Sequence, residues 1–534
     1  MESKMEEPWK PTFAAGETQG RVPTTSGTHA ATRGRSVMLR VAEVWGHPGD
    51  DAVVLRRARI DWVGRSGEAE APAGETIETR GGALIPGFVD AHVHLLHTGL
   101  VESGWRIDLA GRSRADCLTV VREAARARGA GEWVVATGWD ESRWPDARAL
   151  TRQELDGAAP RNPVLAVRVD GHVLVANSRG LHDEPAAAIL AAWSTDVDGA
   201  SGQVREQAAT KVLAAVGPDR AAIDEALQAA ARLCHRMGVT AVHTMCDGQD
   251  PEVFLGAARG LSLRVVVHPP MEALAGLAAA GHRTGDGDGW VRWGGLKASA
   301  DGSIGARNAA VSEPFRSGGR GTLLCDDTSM TDRIRAADAA GWQTLIHAIG
   351  DRAIEQVLRA HEAARTSHAL RHRIEHFEFP TRDHIARARK AGLCVCMQPN
   401  FVGNWSGPGG LYEQELGPLR DSRSNPLRSV VDAGVPLAFG SDGMPVSPLY
   451  GLACAVRPPH RSQRLSLEEA LAAYTAGGAY FAHEETDAGG IQVGKRADLV
   501  VLDAPTAGAE SEIDRRAIER TFVGGECVYH RAAT

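Results

Sequence analysis

The 534-residue chain has no apolar run long enough to cross a bilayer, and its start lacks a basic-then-apolar leader pattern. A cytoplasmic location is therefore expected. Basic excess is missing too: 59 Lys and Arg stand against 67 Asp and Glu, a net charge of −8, and no Lys/Arg-rich run occurs. That argues against nucleic acid or an anionic membrane as partner. The cysteines (Cys117, Cys234, Cys246, Cys325, Cys394, Cys396, Cys454, Cys527) are scattered and form no Cys-x-x-Cys pair, which favours reduced thiols over a disulfide framework. No Gly-x-Gly-x-x-Gly or Walker-type loop follows any strand-like run, so nucleotide-binding folds lose ground. What remains is ordinary for a globular protein, 43% hydrophobic and 24% charged, with length for one large domain with additions or for several domains.

Residues 1–36 are rich in Glu, Thr, Gly, Ser and Pro without periodicity and read as a disordered tail, with Met38 as an alternative start. Short β-type runs follow at Val37–Trp45 and Val53–Gly64. Similar runs return at Ala497–Leu502 and Thr521–Tyr529, the last with a Gly524-Gly525 hairpin centre. Neither end can bury a sheet face alone, so 37–82 and 488–534 are expected to pair into one composite β-sandwich. Between them, 83–487 carries eight apolar runs of strand length: Leu84–Ala91, Val239–His243, Leu263–His268, Gly294–Ala300, Thr344–Ile349, His372–Phe377, Leu393–Gln398 and Pro436–Ser441. Helix-patterned segments follow most of them, including Asp351–Ala364, Thr381–Ala391 and Leu467–Tyr474, the last opened by a Ser466…Glu469 capping box. The alternation calls for a parallel sheet, and eight units predict an α/β fold of the (β/α)8 TIM barrel type. The interval at about 99–238 is too long for a connection and has strand and helix patterns of its own, so it is read as an inserted α/β subdomain after strand 1.

Chemistry collects at the ends of these runs, where barrel active sites lie. Asp90, His92 and His94 share one strand face by period two, so the two imidazoles can hold one cation. By itself this is weak, because 20 histidines in 534 residues give about 0.7 His-x-His pairs by chance. Its company strengthens it: Lys297 lies on the fourth run, His347 and His376 end the fifth and sixth, and Asp442 follows the eighth. Such nitrogen and oxygen donors suit a divalent metal, most simply zinc, with Asp442 as both ligand and catalytic base for a cation-activated water. Lys297 contributes only as a neutral amine or a carbamate, and the alternative is a buried lysine paired with Asp301. His372, flanked by Arg371 and Arg373, reads as structural.

Pro86-Gly87-Phe88-Val89-Asp90-Ala91-His92-Val93-His94-Leu95, Lys297–Arg307, His347–Ala353, Arg373-Ile374-Glu375-His376 and Gly440-Ser441-Asp442 resemble the signature blocks of the amidohydrolase superfamily, more narrowly its YtcJ-like branch (amidohydrolase family 3), which includes N-substituted formamide deformylases. The similarity spans about Val37 to Tyr529. It implies a metal-dependent hydrolase with one or two ions, His92, His94, His347, His376 and Asp442 as ligands, and Lys297 as the carbamylated bridge. Asp170-Gly171-His172 and Asn177-Ser178 resemble a further block, which implies that His172 approaches the substrate; the alternative is a turn with a surface histidine. Trp139 and Trp144 are candidates to line the pocket, with core packing as the alternative. The expected reaction is hydrolysis of a non-peptide C–N bond in an N-substituted amide or formamide, on a small-molecule substrate, without nucleic acid or membrane. A homodimer, a deaminase or cyclic-amide hydrolase activity, and an inactive ligand-binding or regulatory protein all stay open.

Overall fold

The computed structural model describes residues 36–69, 74–79, 81–169, 171, 173–246 and 248–532. The expected tail at 1–36 lies outside the described residues except for Ser36, which already opens a strand. Two compact units form: one holds the residues up to His94, Ala231–Cys246 and those from Ala258 on, and the other holds Leu95–Ala230 with a short piece ending at Ala257.

The first unit is built on parallel strands that pair in chain order. They are β1 (Phe88–Val93), β2 (Val239–Met245), β3 (Arg264–His268), β4 (Val291–Trp293 continued by Leu296–Ser299), β5 (Thr344–Ala348), β6 (Arg373–His376), β7 (Cys394–Met397) and β8 (Leu437–Phe439). Every residue of β1, β3, β6, β7 and β8 is buried, as strands covered on both faces must be, and β7 and β8 accordingly read as apolar runs rather than alternating ones. β4 joins the two halves of the ladder: its first segment pairs with β3, its second with β5, and Lys297 N–H donates to Pro269 O at 2.8 Å. The last strand meets the first where Asp442 N–H donates to His92 O at 2.7 Å. Gly440 permits that approach, since a Cβ there would lie 2.5 Å from the His92 backbone nitrogen. Helices Asp351–Ala364, Arg382–Lys390 and Leu467–Ala473 follow their strands as expected, and the Ser466/Glu469 capping box forms.

The chain ends supply two sheets around one apolar core. Ser36–Arg40, Ala52–Arg56, Arg59–Gly64 and Glu75–Glu78 make the first; Glu43–Val44, Ala83–Pro86, Leu499–Leu502, Ile518–Val523 and Glu526–His530 make the second. Leu39, Val53, Leu55, Leu84, Leu499 and Phe522 are buried together between them. Gly524 and Gly525 turn the last hairpin with φ of 58° and 78°, the pair of positive angles a two-residue hairpin turn requires.

One boundary differs from expectation. The run Leu84–Ala91 is two strands, because Ala83–Pro86 pairs with Leu499–Val501 in the terminal sheet and the parallel ladder begins only at Phe88. The chain breaks at Gly87, where any Cβ would fall 2.3 Å from Thr240 Oγ1. Apolar character alone could not reveal this, since both pieces are buried.

In the second unit, Arg106–Asp108, Val134–Trp139, Val164–Arg168, Val173–Ala176, Gln203–Arg205 and Val197–Asp198 form one sheet. Period two divides its side chains: Val134, Ala136, Val164 and Ala166 enter one core, Val135, Leu165 and Val167 the other.

Gly440→Ala should cost about 1–3 kcal/mol by forcing β8 away from β1. Urea denaturation measures it, and an unchanged midpoint would show that the two strands do not meet as described.

Candidate metal centre

The strand order delivers imidazoles and a carboxylate to one place. Asp442 Oδ1 lies 3.4 Å from His92 Nε2 and 3.3 Å from His94 Nε2. The His376 ring is 4.9 Å from that of His92 and 4.4 Å from that of His347. Donor atoms of His92, His376 and Asp442 all fall within 4.8 Å of one another. The His94 side chain is 37% exposed against 1% for His92, so the cluster opens to solvent on the His94 side.

Local structure fixes each member. Ser441 donates to Asp90 from its backbone N–H (2.9 Å) and hydroxyl (2.5 Å), which clips the end of β8 to β1. Asp90, expected to share one strand face with the histidines, serves as this clip, and burial raises its pKa to about 6. His376, Phe377 and Asp442 adopt φ of 71°, 51° and 55°, left-handed conformations that cost non-glycine residues on the order of 1 kcal/mol and concentrate at functional sites. Gln398 Oε1 accepts from His376 Nδ1 at 2.8 Å, which leaves Nε2 as that ring's lone-pair nitrogen. His347 Nε2 sits 3.1 Å from Gly302 O. Asp301, fully buried, accepts from the N–H groups of Ala310, Ile349 and Gly350 at 2.8–3.0 Å and so ties the loop carrying Gly302 to the end of β5.

The electrostatics suit a cation. Burial, with the neighbouring His92, lowers the His376 pKa to about 3, so the ring is neutral. Burial opposes the charge of Asp442, but the contacts from His92 and His94 outweigh it and hold the carboxyl well below its usual value. A neutral His376 ring and the imidazoles of His92 and His94 beside an ionised carboxylate make a nitrogen and oxygen donor set that a divalent transition metal takes, so the residues present fit such an ion. Lys297 does not pair with Asp301. Burial lowers its pKa, against the opposing pull of the Glu375 and Asp442 charges, which favours the neutral amine.

Other expectations resolve differently. Trp139 and Trp144 stack at 6.0 Å inside a core of the second unit, and their ring N–H groups donate to Ala166 O and Arg112 O at 2.9 Å. Packing accounts for both, and the pocket-lining reading is corrected: a tryptophan on a strand or turn over an apolar core buries more surface than any exposed site offers it. Asp170 and His172 lie outside the described residues, while Asn177 accepts from Gly180 N–H as a helix cap. His372 is structural, holding Thr344 N–H and Asp338. Cys394 and Cys396 lie in β7, both thiols raised by burial.

Sequence reasoning missed several neighbours. Glu375 bonds His92 Nδ1, and Arg373 holds Glu375. Phe401 stacks on His376 at 6.0 Å and 11°, and Trp405 lies 4.5 Å from Phe401. The charged pair left a signal, since Arg373, Glu375 and His376 make three of the four residues of a buried strand ionisable; the aromatic pair left none.

Residues 75–529 match the amidohydrolase family. The chain belongs to that family. This amidohydrolase is 29% identical over 511 residues to the putative amidohydrolase YtcJ of Bacillus subtilis (strain 168), covering 86% of this chain and 92% of that one. It is 26% identical over 529 residues to the N-substituted formamide deformylase of Arthrobacter pascens, covering 90% and 95%. Among solved structures it resembles an uncharacterized metal-dependent hydrolase from Pyrococcus furiosus, with a TM-score of 0.70, 25% identity and coverage of 88% and 99%. It is thus a YtcJ-like, metal-dependent amidohydrolase, acting on C–N bonds. No helix among the described residues is long and apolar enough to cross a membrane.

Asp301→Ala should destabilise the protein by on the order of 4 kcal/mol, because three buried N–H groups lose their acceptor. Thermal and urea denaturation test this, and a loss under 1 kcal/mol would contradict the network.

Proposed function

We propose that the protein hydrolyses an N-substituted amide or formamide with zinc held by His92, His94, His347, His376 and Asp442, on a (β/α)8 barrel flanked by a composite β-sandwich. The chain-order pairing of the strands and the Asp442 N–H bond to His92 O support closure into a barrel. The observation that carries the functional reading is Asp442 Oδ1 lying within 3.4 Å of both His92 Nε2 and His94 Nε2, next to a neutral His376. Lys297, as the carbamate that its neutral amine forms with carbon dioxide, would add oxygen donors to the set, a reading supported by its lowered pKa and by the lack of an ion pair to it among the described residues. All eight cysteines are free, which supports a cytoplasmic setting.

When bound, the cation polarises the scissile carbonyl and makes a water acidic near neutrality. The Asp442 carboxylate takes the proton of the attacking water and returns it to the departing nitrogen, so one water yields an acid and an amine. His92 and His94 keep that carboxylate ionised beforehand. Gln398 fixes the His376 ring, and burial keeps the ring neutral. Phe401, stacked on His376, and Trp405, packed against Phe401, offer an apolar face for the substituent on nitrogen, and the deformylase relative supports that substrate class.

A panel of N-aryl and N-alkyl formamides, anilides, cyclic imides and amino-heterocycles tests the class; turnover confined to cyclic imides or amino-heterocycles would replace this reading with a cyclic-amide hydrolase or deaminase. Asp442→Asn should keep most bound zinc and lower kcat at least a thousandfold, and a near-normal rate would remove Asp442 as base. Trp405→Ala should raise KM roughly tenfold for N-benzyl formamide while leaving unsubstituted formamide unchanged.

A further inference from the structure

Two groups of donors share the His92 ring. Its Nε2 faces Asp442, whereas its Nδ1 meets Glu375 Oε2, and Cys396 Sγ completes a second potential set with His92 and Glu375. One imidazole serves one set or the other, according to which nitrogen keeps its lone pair.

The environment of Glu375 decides between them. Arg373 Nε donates to Oε1 at 2.8 Å and Nη2 to Oε2 at 3.0 Å, so a forked guanidinium covers both carboxylate oxygens. Both residues are at 0% exposure. Arg373 is in turn fixed by Ala91 O at 2.7 Å, by His243 Nδ1 at 3.0 Å and by the Phe481 ring beneath it. A guanidinium stays charged, and a carboxylate so engaged can only accept. His92 Nδ1 must then be the donor, and Nε2 carries the lone pair.

Stability does not account for this arrangement. Barrel interiors are ordinarily filled by branched aliphatic side chains, and a buried Arg–Glu pair is commonly neutral or unfavourable compared with apolar residues of like volume. We propose that Glu375 and Arg373 are positioning residues that commit His92 to bind metal through Nε2, and that withhold the Glu375 and Cys396 donors from it. This rests on the metal reading above.

The test is chelator competition for zinc, together with the visible spectrum of the cobalt(II) form, on the full chain and three variants. Glu375→Gln should weaken zinc binding about 10–100-fold and alter the cobalt band. Because that variant strands a buried Arg373 charge, the double variant Arg373→Met with Glu375→Gln is the decisive arm. It should melt, metal-free, at or above the unmutated protein and still bind zinc about 10–100-fold more weakly. Cys396→Ser should bind zinc as the unmutated protein does. The proposal is overturned if the double variant keeps full zinc affinity and an unchanged cobalt spectrum, if its metal-free form loses as much stability as Glu375→Gln, or if Cys396→Ser loses affinity. Unmutated protein that binds no zinc would overturn the metal reading, and this inference with it.

Discussion

The hydrogen bond from Asp442 N–H to His92 O, 2.7 Å long, joins the last parallel strand to the first. Two residues separated by 350 positions thereby become backbone neighbours, and their side chains are neighbours as a consequence. Asp90 adds a second tie by accepting from both the backbone and hydroxyl of Ser441. The anchors of the site are thus a main-chain contact and a buried carboxylate at the ends of the first and last parallel strands.

Burial does the electrostatic preparation. A single desolvated environment keeps His376 neutral, leaves Asp442 ionised through its two imidazole partners, and favours the unprotonated form of Lys297. Each of these states is the one that a metal ligand, a base or a carbamate precursor needs. The left-handed backbone at His376 and Asp442 adds conformational cost at the same two strand ends, which only a well-packed surround can sustain.

The outline of this arrangement was legible in the sequence because strand ends announce themselves by composition. His92, His94, His347, His376 and Asp442 stand where apolar runs stop, and the chain-order pairing of those runs brings them together. Helix boundaries were legible for a similar reason: Ser466 and Glu469 declare a capping box within four residues. The break at Gly87 was not legible, since it depends on the Thr240 side chain 153 positions away. The tryptophans misled because an aromatic ring is attractive to a pocket and to a core alike, and only the stacking of Trp139 on Trp144 inside its own unit decides. Phe401 and Trp405 gave no warning, since their place beside the cluster comes from the stacking of Phe401 on the His376 ring and of Trp405 against Phe401.

Arg373 and Glu375 carry the comparison furthest. In sequence they are two charges on either side of Ile374 in a short, fully buried strand, an arrangement that core packing disfavours. Such conflicts between local rule and position are where function is expected to reside. Here the conflict resolves at a single imidazole nitrogen: a guanidinium that cannot lose its proton holds a carboxylate that cannot gain one, and His92 is left with one available lone pair. The choice of His92 nitrogen is thus set inside the sheet, by two side chains that solvent does not reach.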